Sequence, residues 1–167
     1  MPPYNIRNYQ PEDFSNYELL RQEAEKLEPF RLRVSSQAIA ESLARPNYSP
    51  EQDLFVVTKA GSLIGYMDIL PELKLGRVVL TCWLHPEHRR KGLATKLFSY
   101  AMRRARELEA EVAHANIMED NVVAKIVLSK LGFKCVRRFL EFKLDMANLR
   151  WQNANQAAQE CCHLKCG

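Results

Sequence analysis

The stretch from Val78 to Thr95 constrains this chain more than any other part of it. An apolar run, Val78 to Leu84, is stopped by Pro86; a basic segment, His88 to Lys91, then meets Gly92, and a periodic pattern opens at Leu93. The run lacks strict alternation, which predicts a strand buried on both faces. From Leu93 to Leu108 the apolar residues Leu93, Leu97, Phe98, Ala101, Ala105 and Leu108 recur every three or four positions, the period of an amphipathic helix. A glycine at such a junction lets main chain approach a ligand closely. The first amides of the helix have no partner within it and the helix dipole is positive there, so the turn suits a diphosphate held mainly by main chain. Arg89, Arg90 and Lys91 add charge. The same RxxGxA spacing also suits a basic turn that only caps a helix, with Gly92 serving backbone geometry.

The flanking pattern gives this junction a setting. Tyr4 to Tyr9 reads as a strand, and Pro11, Glu12 and Asp13 open a helix through about Glu28, with Phe14, Tyr17, Leu20, Ala24 and Leu27 at helical spacing. Pro29 stops it. A second helix starts after Ser35 or Ser36, carries Ile39 and Leu43, and ends before Pro46, with Asn47 to Gln52 as loop. Leu54 to Lys59 and Leu63 to Leu70 form an antiparallel hairpin through Ala60, Gly61 and Ser62, closed by Pro71. Beyond the long helix come a strand at Val112 to Ile117, a helix at Asn121 to Leu131 stopped by Gly132, and a strand at Cys135 to Leu144. Two early helices followed by a hairpin and by strands that alternate with helices predict an α/β or α+β layer fold, a mixed sheet covered by helices.

Composition removes several function classes. A chain of 167 residues fits one ordinary domain, and no apolar run reaches the ~18 residues a membrane span needs. Met1 to Phe14 lacks the apolar centre of a secretory signal, so the expected location is cytoplasmic. Five cysteines are an odd count, with Cys82 and Cys135 inside apolar runs, which is no disulfide framework. The net charge, 24 − 20 = +4, favours an anionic small ligand and falls short of a nucleic-acid footprint. Cys161, Cys162, His163 and Cys166 are soft ligands, but adjacent cysteines fit poorly around one tetrahedral ion, so no metal site is expected.

Leu84, Pro86, Arg89, Gly92 and Ala94 reproduce an apolar residue, a spacer, Pro, then R/QxxGxG/A leading into a helix; Asn121, Ala124, Gly132 and Phe133 follow as a second motif. On these residues the chain resembles the GCN5-related N-acetyltransferase (GNAT) superfamily, over roughly Tyr4 to Asp145. The resemblance implies a central, mostly antiparallel sheet with a splayed strand pair, flanked by helices, in a domain of residues 1–146 followed by a tail or linker at 147–167. It implies acetyl-CoA as cofactor. Main chain of Cys82, Trp83 and Leu84 would hold the pantetheine arm and acetyl group, and Arg89, Arg90, Lys91, Gly92, Leu93, Ala94 and Thr95 the pyrophosphate. Asn121 would bond the arm from the far side, although it fits equally as the N-cap of the helix it opens. The implied partner is a primary amine, of a small molecule or a protein, acetylated by direct transfer, with no nucleic acid and no membrane; a homodimer is compatible.

Two positions depart from the family pattern. Many members carry a tyrosine seven residues after the motif asparagine to protonate the leaving thiolate, and Leu128 stands there; the branch that acetylates protein N-termini carries a glutamate five residues before it, and Asn116 stands there. No catalytic residue is therefore fixed. Asp68, His85, His114 and Glu119 are the candidates for a water-relayed base: His114 shares strand parity with Asn116, and Asp68 is expected at the end of a strand bordering the substrate groove. The other reading is a catalytically silent acyl-CoA sensor, or one half of a tandem acetyltransferase, with the Asn-, Gln- and Ala-rich segment from Trp151 as the linker. The early helices and Pro71 to Gly76, where acceptor choice would lie, carry no signature.

Overall fold

The computed structural model describes residues 3–27 and 35–140. The strand-forming runs pair in sequence order into one five-stranded sheet: β1 (Tyr4–Asn8), β2 (Leu54–Lys59), β3 (Ser62–Glu72), β4 (Arg77–Leu84) and β5 (Val112–Ala115). The first three pairings are antiparallel and β4–β5 is parallel, as a connection through a helix requires. Among the described residues the α-helices are α1 (Phe14–Leu27), α2 (Ser36–Leu43), α3 (Pro50–Asp53), α4 (Leu93–Glu107) and α5 (Val122–Lys130).

Alternation along the strands divides the core between the two faces of the sheet. Met67, Ile69, Val78, Leu80 and Leu84 pack with Leu93, Leu97, Phe98 and Ala101 of α4 and with Leu128 of α5. Tyr66 and Trp83 point the other way and join Tyr17, Leu20 and Ala24 of α1, Ile39 of α2, and Tyr48. Each helix start has a local cause. Ser35 accepts from the amide of Ala38 at 3.1 Å and caps α2. Asp13 ends the turn before α1, takes the Gln10 amide at 2.9 Å and holds Arg7 with both oxygens at 2.6 and 2.8 Å.

Two contacts shape the end of β4. The β4–β5 ladder runs only from Arg77–Val112 to Leu80–Ala115, whereas β3 stays paired with β4 up to Leu84. Thr81 to Leu84 therefore keeps one main-chain edge unpaired among the described residues, and this is the expected splayed pair. On the paired edge, Gly65 lies opposite Leu84. A Cβ at Gly65 would strike the Leu84 side chain and sit 2.8 Å from the Trp83 carbonyl, so only glycine lets β3 pass this close.

The structure corrects four boundaries. Asn47 to Gln52 is not all loop, because Pro50 starts α3 and the buried Asp53 secures it, accepting from the Ser49 amide at 2.8 Å and from Arg104 of α4 at 2.7 Å. Pro71 does not close β3, which runs to Glu72; β2 ends opposite Asp68, so the proline is paired on one side only, where its missing donor is tolerated. This also moves Asp68 from a strand end to a strand interior. β5 stops at Ala115, and Ile117 is exposed, so extending the strand would bury nothing. Cys135 to Leu140 is not strand: Val136, Phe139 and Leu140 are exposed, and apolar side chains left in water give no reward for pairing. Residues 141–144 of that expected strand, and the cysteine cluster after residue 160, lie outside the described residues. Lys134–Gly167 separates from Met1–Phe133 as its own unit.

Candidate active site

The junction between β4 and α4 is a short 3-10 turn, Pro86–His88, followed by Arg89 to Gly92. Its backbone alternates: Arg90 has φ 61° and Gly92 φ 74°, both left-handed, and such alternation turns successive amides toward one side. Gly92 is the N-cap of α4, and among the described residues no side chain caps the helix. The first helical hydrogen bond runs from the Lys96 amide to Gly92 O at 3.2 Å, so the amides of Leu93, Ala94 and Thr95 have no acceptor within α4. A Cβ on Gly92 would meet nothing within 4 Å, so the ground before the turn is open and the glycine is required by φ alone.

The basic side chains divide their work. Arg89 turns back, its Nε donating to the Leu84 carbonyl at 2.8 Å. Lys91 donates to Tyr4 Oη at 3.0 Å and to the Glu87 carbonyl at 3.1 Å, fastening the turn to β1. That bond from Lys91 is the largest cause lowering the Tyr4 phenol below its ordinary pKa. Tyr4 Oη also lies 3.1 Å from His88 Nδ1, and desolvation, then Lys59 and Lys91, lower His88 below the usual imidazole range. Arg90 is exposed, with no hydrogen-bond or ion-pair partner among the described residues. Outward amides, open ground and one uncommitted guanidinium fit a diphosphate group.

Cys82, Trp83 and Leu84 form the unpaired end of β4, with Cys82 and Leu84 packed on the α4 side and Trp83 on the α1 side. Desolvation pushes the Cys82 thiol up to about 12, so it is not a thiolate at neutral pH and is a poor nucleophile. The Nε1 of Trp83 is buried without a hydrogen-bond partner among the described residues. Asn121 serves as the N-cap of α5, accepting from the Ala124 amide at 3.0 Å, which leaves its amide nitrogen available.

The candidate bases are scattered. Both Asp68 oxygens are engaged: Oδ1 accepts from Tyr48 Oη at 2.7 Å and Oδ2 from Arg45 at 3.2 Å. His114 sits on β5 with Nδ1 3.4 Å from Arg77, which is itself ion-paired to Glu72. Glu119 is exposed and paired with Lys125 at 2.7 Å. Only His85 directly follows the end of β4; its Nδ1 accepts from the Glu87 amide at 3.3 Å and its Nε2 lies 3.4 Å from Glu23 Oε1 on α1. Leu128 is the buried residue of α5 and carries no acid, and Asn116 is exposed outside β5.

Sequence reasoning passed over Tyr4, Glu23, Arg21 and Gly65. Three of them belong to elements far along the chain from the motif, and spacing carries no signal of which side chains meet across a sheet. Gly65 was visible as a glycine inside a strand pattern, the usual mark of a close backbone approach.

With this geometry in place, comparison with known proteins gives its kinship. The family described as Acetyltransferase (GNAT) family matches residues 13–133. No curated protein matches. Among solved structures, the aminoglycoside N-acetyltransferase AAC(6')-Iy, in complex with a bisubstrate analog, superposes with a TM-score of 0.64 at 18% identity, over 86% of this chain and 99% of that one. YncA from Salmonella typhimurium, with its cofactor acetyl-CoA, gives 0.63 at 23% identity, over 78% and 79%. A GCN5-related N-acetyltransferase from Sphaerobacter thermophilus gives 0.66 at 17% identity; the match takes in 80% of this chain but 45% of that one.

Proposed function

The chain belongs to the acetyltransferase (GNAT) family, and from that premise we propose that it binds acetyl-CoA at the β4–α4 junction and transfers the acetyl group directly to a primary amine. One observation carries the reading: an uncapped helix start behind Gly92 stands beside the unpaired main chain of Thr81 to Leu84. The pyrophosphate would lie against the amides of Leu93, Ala94 and Thr95 with Arg90 alongside. The arm would take the free edge of β4 as an added strand, which needs main-chain groups and tolerates any side chain. Asn121 would reach the arm with its free amide nitrogen. The thioester supplies the acetyl group when bound.

Direct transfer fits a site where the thiol of Cys82, on the end of β4, is held protonated. The amine must lose a proton before or during attack, and we assign its acceptor to the Glu23–His85 pair, the ionisable pair at the end of β4. Purified protein incubated with acetyl-CoA and a panel of amines tests the reading: release of free thiol with a mass increase on one amine supports it. A second reading, one half of a tandem acetyltransferase, is favoured by the Sphaerobacter match, where this fold spans less than half of the other chain. That reading expects coenzyme A binding without turnover.

A further inference from the structure

The turn between β4 and α4 carries a second set of side chains besides its basic ones. Pro86–His88 is a 3-10 turn, in which residues three apart eclipse, so His85 at its N-cap and His88 at its end project on the same side. Their ring centroids lie 5.7 Å apart, and one ring nitrogen of each, together with a Glu87 carboxylate oxygen, fall within 4.8 Å of one another. The main chain here is held. The His85 amide donates to the Ile64 carbonyl of β3 at 2.9 Å, the His88 amide donates to the His85 carbonyl at 2.9 Å, and Pro86 fixes its own φ. Two imidazoles and a carboxylate thus converge on a framework set before any ligand arrives.

Each imidazole also has a partner from another element. Nε2 of His85 lies 3.4 Å from Glu23 Oε1 of α1, and Nδ1 of His88 lies 3.1 Å from Tyr4 Oη of β1. A carboxylate and a phenol so placed fix ring orientation and tautomer, which is what the outer partners of metal-bound histidines do. They leave His85 Nδ1 and His88 Nε2 as ligand atoms. His85 Nδ1 accepts from the Glu87 amide at 3.3 Å, a long bond to an exposed residue, whose amide can turn to water instead. Two nitrogens and one carboxylate oxygen, with water at a fourth position, are a donor set of zinc. Lys91, held by Tyr4 and the Glu87 carbonyl, and Lys59, 5.3 Å from the Tyr4 ring centroid, place positive charge nearby and oppose a cation, so the site suits an ion that exchanges rather than one locked in.

We propose that His85, Glu87 and His88 form a site for an exchangeable zinc ion that switches acetyl transfer off. With Nε2 of His85 facing Glu23, the lone pair that accepts the amine proton is on Nδ1, and a zinc ion bound there occupies it. The switch rests on the assignment of the Glu23–His85 pair as proton acceptor. The metal site itself stands on the geometry of the turn and is read without catalysis.

The test uses the full chain carrying Cys161→Ser, Cys162→Ser and Cys166→Ser, which removes tail thiols that would take the same ion. Calorimetric titration with zinc should show one bound ion, and cobalt(II) should give a tetrahedral visible spectrum without a sulfur-to-metal band, as nitrogen and oxygen ligands require. Tyr4→Phe, which removes only an outer partner, should weaken zinc binding roughly 10–100-fold, and Glu87→Gln and His88→Ala, which remove ligands, by at least as much. Circular dichroism melting checks that each variant is folded, and Glu87 is exposed, so its substitution leaves the core untouched. Acetyl transfer is read as the mass of acetylated amine, because the thiol of free coenzyme A itself binds zinc. It should fall as the site fills and recover with EDTA, and the inhibiting zinc concentration should rise in Glu87→Gln by the factor seen in Kd. No zinc binding at submillimolar concentration, a sulfur-to-metal band, or binding unchanged by Glu87→Gln and His88→Ala overturns the site. Zinc that binds without slowing transfer overturns the switch. A chain that binds zinc as described but acetylates no amine in EDTA supports the site and counts against the acetyl-transfer reading instead.

Discussion

Arg89 Nε and the carbonyl oxygen of Leu84 lie 2.8 Å apart, so the arginine that opens the RxxGxA motif holds the end of β4 against the turn. The neighbouring Arg90 has no partner among the described residues. Two residues that look alike in the sequence thus do different jobs, one positioning main chain and one offering charge.

This division is measurable. Arg90→Gln should weaken acetyl-CoA by about two- to fivefold, reduce the salt dependence of binding and leave the melting temperature unchanged, as expected for an exposed charge. Arg89→Gln should lower the melting temperature and weaken acetyl-CoA with little change in salt dependence. Calorimetric titrations at two ionic strengths distinguish them; reversed behaviour would show that Arg89 is the phosphate ligand.

Gly65→Ala should destabilise the protein by about 1–3 kcal/mol, because the new methyl group meets the Leu84 side chain and the Trp83 carbonyl and β3 has little freedom to retreat. Since the strain falls on the end of β4, acetyl-CoA affinity should drop even at temperatures where the variant is fully folded. Urea unfolding gives the first number and calorimetry the second.

Cys82 makes stability depend on pH at the alkaline end. Its folded pKa is raised to about 12 from an ordinary value of 9.0, chiefly by desolvation. The unfolded chain therefore loses the proton first, so this contribution is intact below pH 9 and fades as pH climbs from 9 toward 12. Melting temperatures recorded from pH 8 to 10.5 should fall more steeply for the native chain than for Cys82→Ala. Parallel curves would mean that the thiol titrates normally.

How far the sequence foretold this follows from where each signal resides. The β4–α4 junction was legible because a strand, a proline, a glycine and a helix period are all local, and the N-cap role of Asn121 was equally local. Asp68 was placed at a strand end because Pro71 reads as a stop; only the loss of the β2 partner at that point, a tertiary fact, lets the strand continue. The strand expected from Cys135 was inferred from apolar content, and Val136, Phe139 and Leu140 instead stand exposed. Glu23 beside His85 and Arg21 over Tyr66 join positions more than forty residues apart in pairs that no spacing rule encodes.

The most direct measurement of the central claim is a thermal melt titrated with acetyl-CoA, run on the native chain and on Gly92→Glu. A ligand that binds only the folded state adds about 2.7 kcal/mol at a hundredfold excess over Kd, which for a chain of this size raises the midpoint by roughly 5–10 °C. The native chain should show that rise. Gly92→Glu, with a carboxylate before the amides of α4 and a strained φ, should show none at equal concentration. No rise in the native chain at millimolar acetyl-CoA, or an equal rise in both proteins, would contradict the assignment of this turn as the acetyl-CoA site.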